Sequence, residues 1–333
     1  MPRLAIEGKR ARGKPERLQN MIEILNIAPP FFGLILLGAV APRLWTASED
    51  GLAWLNIFVV YFALPSLIFL VVAATPLEQL VSPAFVTVTA GVTAFAFLLM
   101  LLLSKLTLGT DLRTAALQGT AASYGNVGYM GLPLAVAFFG PAAAVPAALV
   151  FCFDCTVEFI LTAFFAGVSD RRGATRGAMA RKILKDLVTH PFIVATILGV
   201  LASALHFKPG GALLSILEML MRAAGPVALF AMGVTVSLRR FAGVGRELPL
   251  LAAIKIVIQP ALAYLAVSLL VAPDPVWLQV AVMMAALPTA SNAFILARQY
   301  ETYVDGAGAA VLATTVLSVV SIPVLVYLLQ HWL

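Results

Sequence analysis

The side chains best suited to chemistry sit in two apolar stretches. The first runs Ser123-Tyr124-Gly125-Asn126-Val127-Gly128-Tyr129-Met130-Gly131-Leu132-Pro133 and sets an amide and a phenol among glycines and a proline. The second carries Pro288, Thr289, Ser291 and Asn292. Glycine and proline both weaken a helix, and Pro133 should free the carbonyl about four residues before it. In a membrane, freed backbone groups are tolerated only against protein or a wet cavity. Broken helices also expose N-termini, whose N–H groups and partial positive charge suit an anion. The candidate substrate-binding set is therefore Asn126, Tyr124, Gly125, Gly128, Pro133, Pro288, Thr289, Ser291 and Asn292. Asn126 and Asn292 would bond the anion, and Pro133 and Pro288 would hold the breaks open. The plainer alternative is that the glycines only let helices pack closely.

Charged residues inside apolar runs form a second group. Asp154 and Glu158 lie one turn apart on one helix face, which makes them candidates for binding a coupling proton or sodium ion. A satisfied structural pair is the alternative. Glu218 and Arg222 are also four apart and should pair; otherwise Arg222 is a clamp for a carboxylate. Lys255 lies about two turns inside its span and reads as snorkelling to the interface. Arg298 and Asp305 read as interfacial. Cys152 and Cys155 have CxxC spacing but lie within an apolar run, so they read as packing residues. No metal site is expected, and no cofactor beyond coupling H+ or Na+. With no His-Glu metal motif and no recognisable serine or aspartate dyad, the chain does not read as an enzyme.

The elements that must position these residues are membrane spans. Of 333 residues, 61% are hydrophobic and 11% charged, too little charge for a soluble surface of this size. Ten transmembrane helices are expected at 22–42, 52–74, 84–107, 112–139, 142–168, 190–207, 213–237, 248–271, 275–299 and 305–330. Alternate loops are unequal in Lys and Arg. One set carries thirteen, from Arg43 to Arg298, and the other carries only Lys208. The basic set should face the cytoplasm, which puts both termini outside. The net charge of +6 thus reflects topology and not nucleic-acid binding. Residues 1–20 carry six further basic residues and read as a disordered or non-native extension. Residues 169–189 read as a basic cytoplasmic linker, with a short surface helix over 173–187.

The linker divides two halves, 21–168 and 190–333, that resemble one another. Pro30-Phe31 followed by Leu37-Gly38 recurs as Pro191-Phe192 followed by Leu198-Gly199. Leu64-Pro65 with Phe69 recurs as Gly225-Pro226 with Phe230, and both recurrences are displaced by 161 positions. Five spans per half, an odd number, force opposite orientations. A 5+5 inverted repeat with matched breaks in helices 4 and 9 is a secondary-transporter pattern.

The run from Asn126 to Pro133, with Ala286-Leu287-Pro288 and Ala297-Arg298-Gln299-Tyr300, resembles the auxin efflux carrier family. That family contains plant PIN carriers and bacterial malonate and malate permeases. The resemblance covers residue 21 to the end. It implies crossing of helices 4 and 9 at their breaks, a scaffold domain, elevator-type alternating access and, in many members, homodimers. The short central linker is similar to the bacterial permeases rather than the plant carriers. The expectation is a multi-pass protein of the bacterial inner (plasma) membrane that carries small organic anions. A cation–proton antiporter using Asp154 and Glu158, or a membrane solute sensor that does not transport, are the alternatives.

Overall fold

The computed structural model describes residues 29–30, 32–45, 49–80, 82–168, 185, 189, 191–238, 245–271 and 274–332. The expected extension 1–20 and nearly all of the linker, including the surface helix at 173–187, lie outside them. The described residues form helices and one isolated antiparallel β-bridge. The helices are α1 (Phe32–Leu44), α2 (Gly51–Ala74), α3 (Pro83–Thr107), α4 (Leu112–Ser123), α5 (Val127–Phe139) and α6 (Pro141–Ala166). They continue as α7 (Pro191–Ala204), α8 (Gly211–Leu238), α9 (Leu248–Leu270), α10 (Pro275–Ala285), α11 (Ser291–Gln299) and α12 (Val304–Trp332). Six are long and apolar enough to cross a membrane: α2, α3, α6, α8, α9 and α12. The shorter apolar helices are α1, α5, α7 and α10.

Both broken spans start in the same way. Asp111 accepts from the N–H groups of Arg113 and Thr114 at 2.9 and 3.0 Å and so caps α4. Asp274 caps α10 through Val276 N–H at 2.9 Å, with Pro275 in the first turn. Each cap satisfies donors that the first turn leaves over. The Thr114 hydroxyl on Asp111 also holds that carboxyl below the usual range.

Prolines act differently from expectation. Three π-turns, Val59–Ala63, Val127–Gly131 and Ile254–Ile258, run directly into Leu64-Pro65, Leu132-Pro133 and Gln259-Pro260. A π-turn adds a residue to the hydrogen-bonded ring. It thereby makes room for the proline ring, which cannot donate and would strike the preceding turn. Pro133 therefore does not open helix 4. It lies in the first turn of a regular α-segment, Leu132–Phe139. The chain leaves the helix upstream, at Tyr124-Gly125-Asn126. Pro288, in contrast, sits inside the break between α10 and α11.

The helices pack in two groups. In one, α2 packs on α7 and α8; in the other, α3 packs on α4, α6 and α9, and α11 on α12. Glycines set the closest approaches in the first group. A Cβ on Gly38 of α1 would stand 2.1 Å from the Phe230 carbonyl oxygen of α8, and one on Gly233 would stand 1.9 Å from that of Ile35. A Cβ on Gly199 of α7 would meet Val72 at 2.8 Å and the Phe69 carbonyl oxygen at 3.3 Å. Such backbone-to-backbone contact replaces the hydrophobic drive that lipid does not supply.

Substituting Gly233→Leu should therefore separate α1 from α8. Overpacking of this kind costs roughly 1–3 kcal/mol or more, read as a lower melting temperature and less monodisperse protein after detergent extraction. Gly91→Ala, where nothing lies within 4 Å of the new Cβ, should leave both unchanged.

Candidate functional site

The two breaks meet. Asn126 N–H donates to the Pro288 carbonyl at 2.8 Å, and Ala290 N–H donates to the Tyr124 carbonyl at 2.9 Å. Gly125 and Thr289 thus form an antiparallel bridge between unwound segments. The Thr289 hydroxyl donates to Ala121 O at 2.7 Å, and Thr289 N–H donates to the Thr314 hydroxyl at 3.0 Å. The crossing is tied to α4 and α12 through a residue with 0% exposure. The Thr289 hydroxyl and amide both have partners here, in α4 and α12.

Gly125 and Gly128 both sit at close approaches. A Cβ on Gly128 would lie 2.9 Å from the Phe151 ring, and one on Gly125 would lie 3.1 Å from Lys255 Nζ and 3.2 Å from Met284 O. The missing side chain of Gly125 lets the two broken spans close on one another, and that of Gly128 lets α5 close on α6.

Polar side chains ring the bridge. Asn126 is 2% exposed, and its amide donates to Met232 Sδ at 3.0 Å. A thioether accepts weakly, so this amide is held loosely and can turn to a stronger acceptor. Asn292 donates to the Tyr124 hydroxyl at 3.1 Å, and that hydroxyl meets Cys155 Sγ at 3.2 Å. A cavity of about 920 Å³ reaches this cluster, lined by Asn56, Tyr129, Met232, Ser291, Asn292 and Arg298, among others. Ser291 and Asn292 open α11, so the positive end of that helix faces the cavity. Arg298 is two turns further along and on the same face as Ser291, beside the Phe294 ring at 6.0 Å. Its reading as interfacial is incomplete, since it also supplies the cavity with a positive charge, with Asp305 nearby.

Behind the bridge lies a buried ionic cluster. Lys255 has 0% exposure, not the interfacial position of a snorkelling side chain. The π-turn in α9 aims it at the crossing. Its ammonium donates to Gln259 Oε1 at 2.6 Å and to the carbonyls of Ser123 and Ala285, each at 3.0 Å. Ser123 ends α4 and Ala285 ends α10, so one cation caps the C-termini of both half-helices. Gln259 Nε2 donates to Ser123 O at 3.1 Å, which fixes that amide's orientation. Asp154 and Glu158 face the same ammonium electrostatically and are 5% and 0% exposed. Asp154 Oδ1 and Glu158 Oε2 are buried without a hydrogen-bond partner from the chain. The Ser123 hydroxyl has Gly119 O at 2.9 Å and Glu158 Oε1 closer still, but only one proton to give. If it donates to Gly119, the Glu158 carboxyl must itself be protonated to bond.

Two expected site residues lie elsewhere. Pro133 and Arg222 line a second cavity of about 720 Å³, with Leu67, Thr75, Leu214 and Gly225. Arg222 stands 3.8 Å from Glu218, and the two side chains are 78% and 42% exposed. It is the paired residue that the spacing suggests, and it does not reach the Asn126–Asn292 cluster. The residues missed from the sequence are Lys255, Gln259, Ser123, Met232 and Thr314. The visible signal was Lys255 and Gln259, four apart and just before Pro260 in an apolar run.

A family model described as membrane transport protein matches residues 30–326. A Rhizobium meliloti (strain 1021) protein provisionally named a malonate transporter is 40% identical over 310 residues, 93% of this chain and 97% of that protein. A protein of Methanothermobacter thermautotrophicus (strain Delta H), named only as an uncharacterized transporter, is 27% identical over 290 residues, 87% of this chain and 93% of its own. The chain belongs to this membrane transport protein family, the auxin efflux carrier family, and is a multi-pass membrane transporter.

Proposed function

We propose that the chain is a secondary carrier of small organic anions, carboxylates of the malonate, malate or auxin-like class, working by elevator-type alternating access. The observation that carries this reading is the N-terminus of α11, which brings Ser291 and Asn292 to a cavity of about 920 Å³ that also holds Arg298. A helix N-terminus, an amide and a guanidinium together suit a carboxylate. The relative provisionally named for malonate transport agrees with this class.

The two cavities support alternating access. Both line α2, α5 and α8, but at successive heights: Leu52–Tyr61, Tyr129 and Met232–Leu238 for one, and Leu67–Thr75, Leu132–Val136 and Leu214–Leu229 for the other. The chain between them closes the route. The first cavity lies beside the helix ends that lead into the basic loops, so on the charge rule it faces the cytoplasm, with both termini outside and the inner membrane as location. The inverted repeat is supported by a reciprocal contact. Gly38 of the first half approaches the Phe230 carbonyl of the second, and Gly199 approaches that of Phe69, its counterpart. A homodimer built on the α1–α2–α7–α8 group belongs to the same reading.

Asp154 and Glu158 supply the coupling site for H+ or Na+ in this reading. Their unpartnered buried oxygens also favour a second one, a cation–proton antiporter with no organic substrate.

In proteoliposomes the protein should accumulate labelled malonate or malate. Asn126→Ala and Asn292→Ala should each slow uptake about 10–100-fold, the loss of roughly 1.5–3 kcal/mol in a hydrogen bond to a charged ligand, with melting behaviour preserved. Wild-type uptake in both variants removes the asparagines from the site. Arg298→Gln should raise KM severalfold and leave kcat nearly unchanged, because the guanidinium lies at the cavity wall and not at the bridge. Sodium- or proton-driven flux without any carboxylate would instead establish the antiporter.

A further inference from the structure

The acceptors around the Lys255 ammonium are all oxygens: two main-chain carbonyls at 3.0 Å and an amide oxygen at 2.6 Å. Asp154 and Glu158, each with one unpartnered buried oxygen, add their charge to the surroundings of the ammonium. The two carbonyls belong to half-helix C-termini, each of which carries about half a negative charge in all. Carbonyl and amide oxygens converging at one buried point, with two carboxylates in electrostatic reach, suit a hard cation. Here the point is filled by an ammonium on the chain's own tether. Gly125 admits it, since a Cβ there would stand 3.1 Å from Nζ.

We propose that Lys255 is a built-in cation. Its ammonium fills the cage where the two helix breaks cross, so that the carrier works without sodium, and removing the ammonium creates a sodium site. This goes beyond the carboxylate reading and narrows its coupling ion to the proton. A buried acceptor cage with no cation would leave two helix C-termini and at least one carboxylate uncompensated. A mobile sodium ion would have to dissociate for the crossing to relax, whereas the ammonium cannot leave. The charge at the crossing can then change only by proton transfer, on Asp154, Glu158 or Lys255 itself.

The test compares wild type, Lys255→Ala and Lys255→Met, each in sodium chloride and in choline chloride. Wild-type melting temperature and malonate uptake should be the same in both salts. Lys255→Ala opens room for an ion and should melt several degrees higher in sodium, by linkage of binding to the folded state. Lys255→Met keeps the space filled with an apolar chain, so it should show no sodium response and at least tenfold slower uptake. Sodium stabilisation of wild type, sodium-dependent wild-type uptake, or a Lys255→Ala variant with no sodium response would each overturn the proposal. If Lys255→Ala does not fold in choline, its recovery as folded protein when sodium is present throughout purification is the same readout, and failure to recover it counts against the cage. The melting curves need no organic substrate. Absence of malonate uptake by wild type would therefore defeat the carboxylate reading while leaving the cage decided.

Discussion

The fold depends on how two interrupted helices satisfy their backbones inside a membrane. An unpaired N–H or carbonyl in hydrocarbon costs several kcal/mol, and each break frees several at once. Here each break answers the other. Asn126 donates to Pro288 O, and Ala290 donates to Tyr124 O. Main-chain groups that neither half-helix can satisfy alone are bonded by crossing, and Thr289 ties the pair to α4 and α12. The C-terminal carbonyls of α4 and α10 would still face one another as like partial charges. Lys255 resolves that with one ammonium between them. The bridge and the ammonium are thus two parts of one solution, and the small residues around them allow it to close.

Much of this was legible in the sequence because the constraint is strong. Glycine, proline and asparagine at mid-membrane depth have few explanations, and they pointed to the two spans that are interrupted. The location within helix 4 was not legible. Pro133 is the loudest signal there, yet a π-turn absorbs it, and the chain unwinds at Tyr124-Gly125-Asn126 instead. A π-turn needs no special residue before its proline, so spacing alone does not reveal it. Lys255 was misread for the same reason. Depth along α9 suggested snorkelling, but whether a lysine turns outward or inward depends on the helix face, which the π-turn at Ile254–Ile258 re-aims. The Glu218–Arg222 pair was legible from spacing, since neighbours four apart meet on any helix. Its distance from the asparagines was not, because that depends on where α8 crosses α5.

Those tertiary relations also separate binding from support among the polar residues. Thr289 and Tyr124 have committed partners, whereas Asn126 rests on a thioether and Ser291 and Asn292 reach the cavity wall. A group bonded weakly in the resting structure loses little when it turns to a ligand, which suits Asn126 to the proposed substrate contact.

That arrangement limits how the molecule can move. Because the bridge, Thr289 and Lys255 bind α4, α9, α10, α11 and α12 into one hydrogen-bonded unit, a shift of the breaks relative to each other would strand main-chain groups in lipid. The contacts between α1 and α8, and between α2 and α7, are equally close, with backbone against glycine. The softer boundary runs between these groups, where both cavities lie and where side chains rather than backbones meet. Sliding along that boundary keeps the main-chain hydrogen bonds at the crossing intact, whereas opening a gate within the crossing does not. In the proposed alternating-access reading, the cost of unsatisfied backbone in a membrane would then be avoided if the crossing moved as a body.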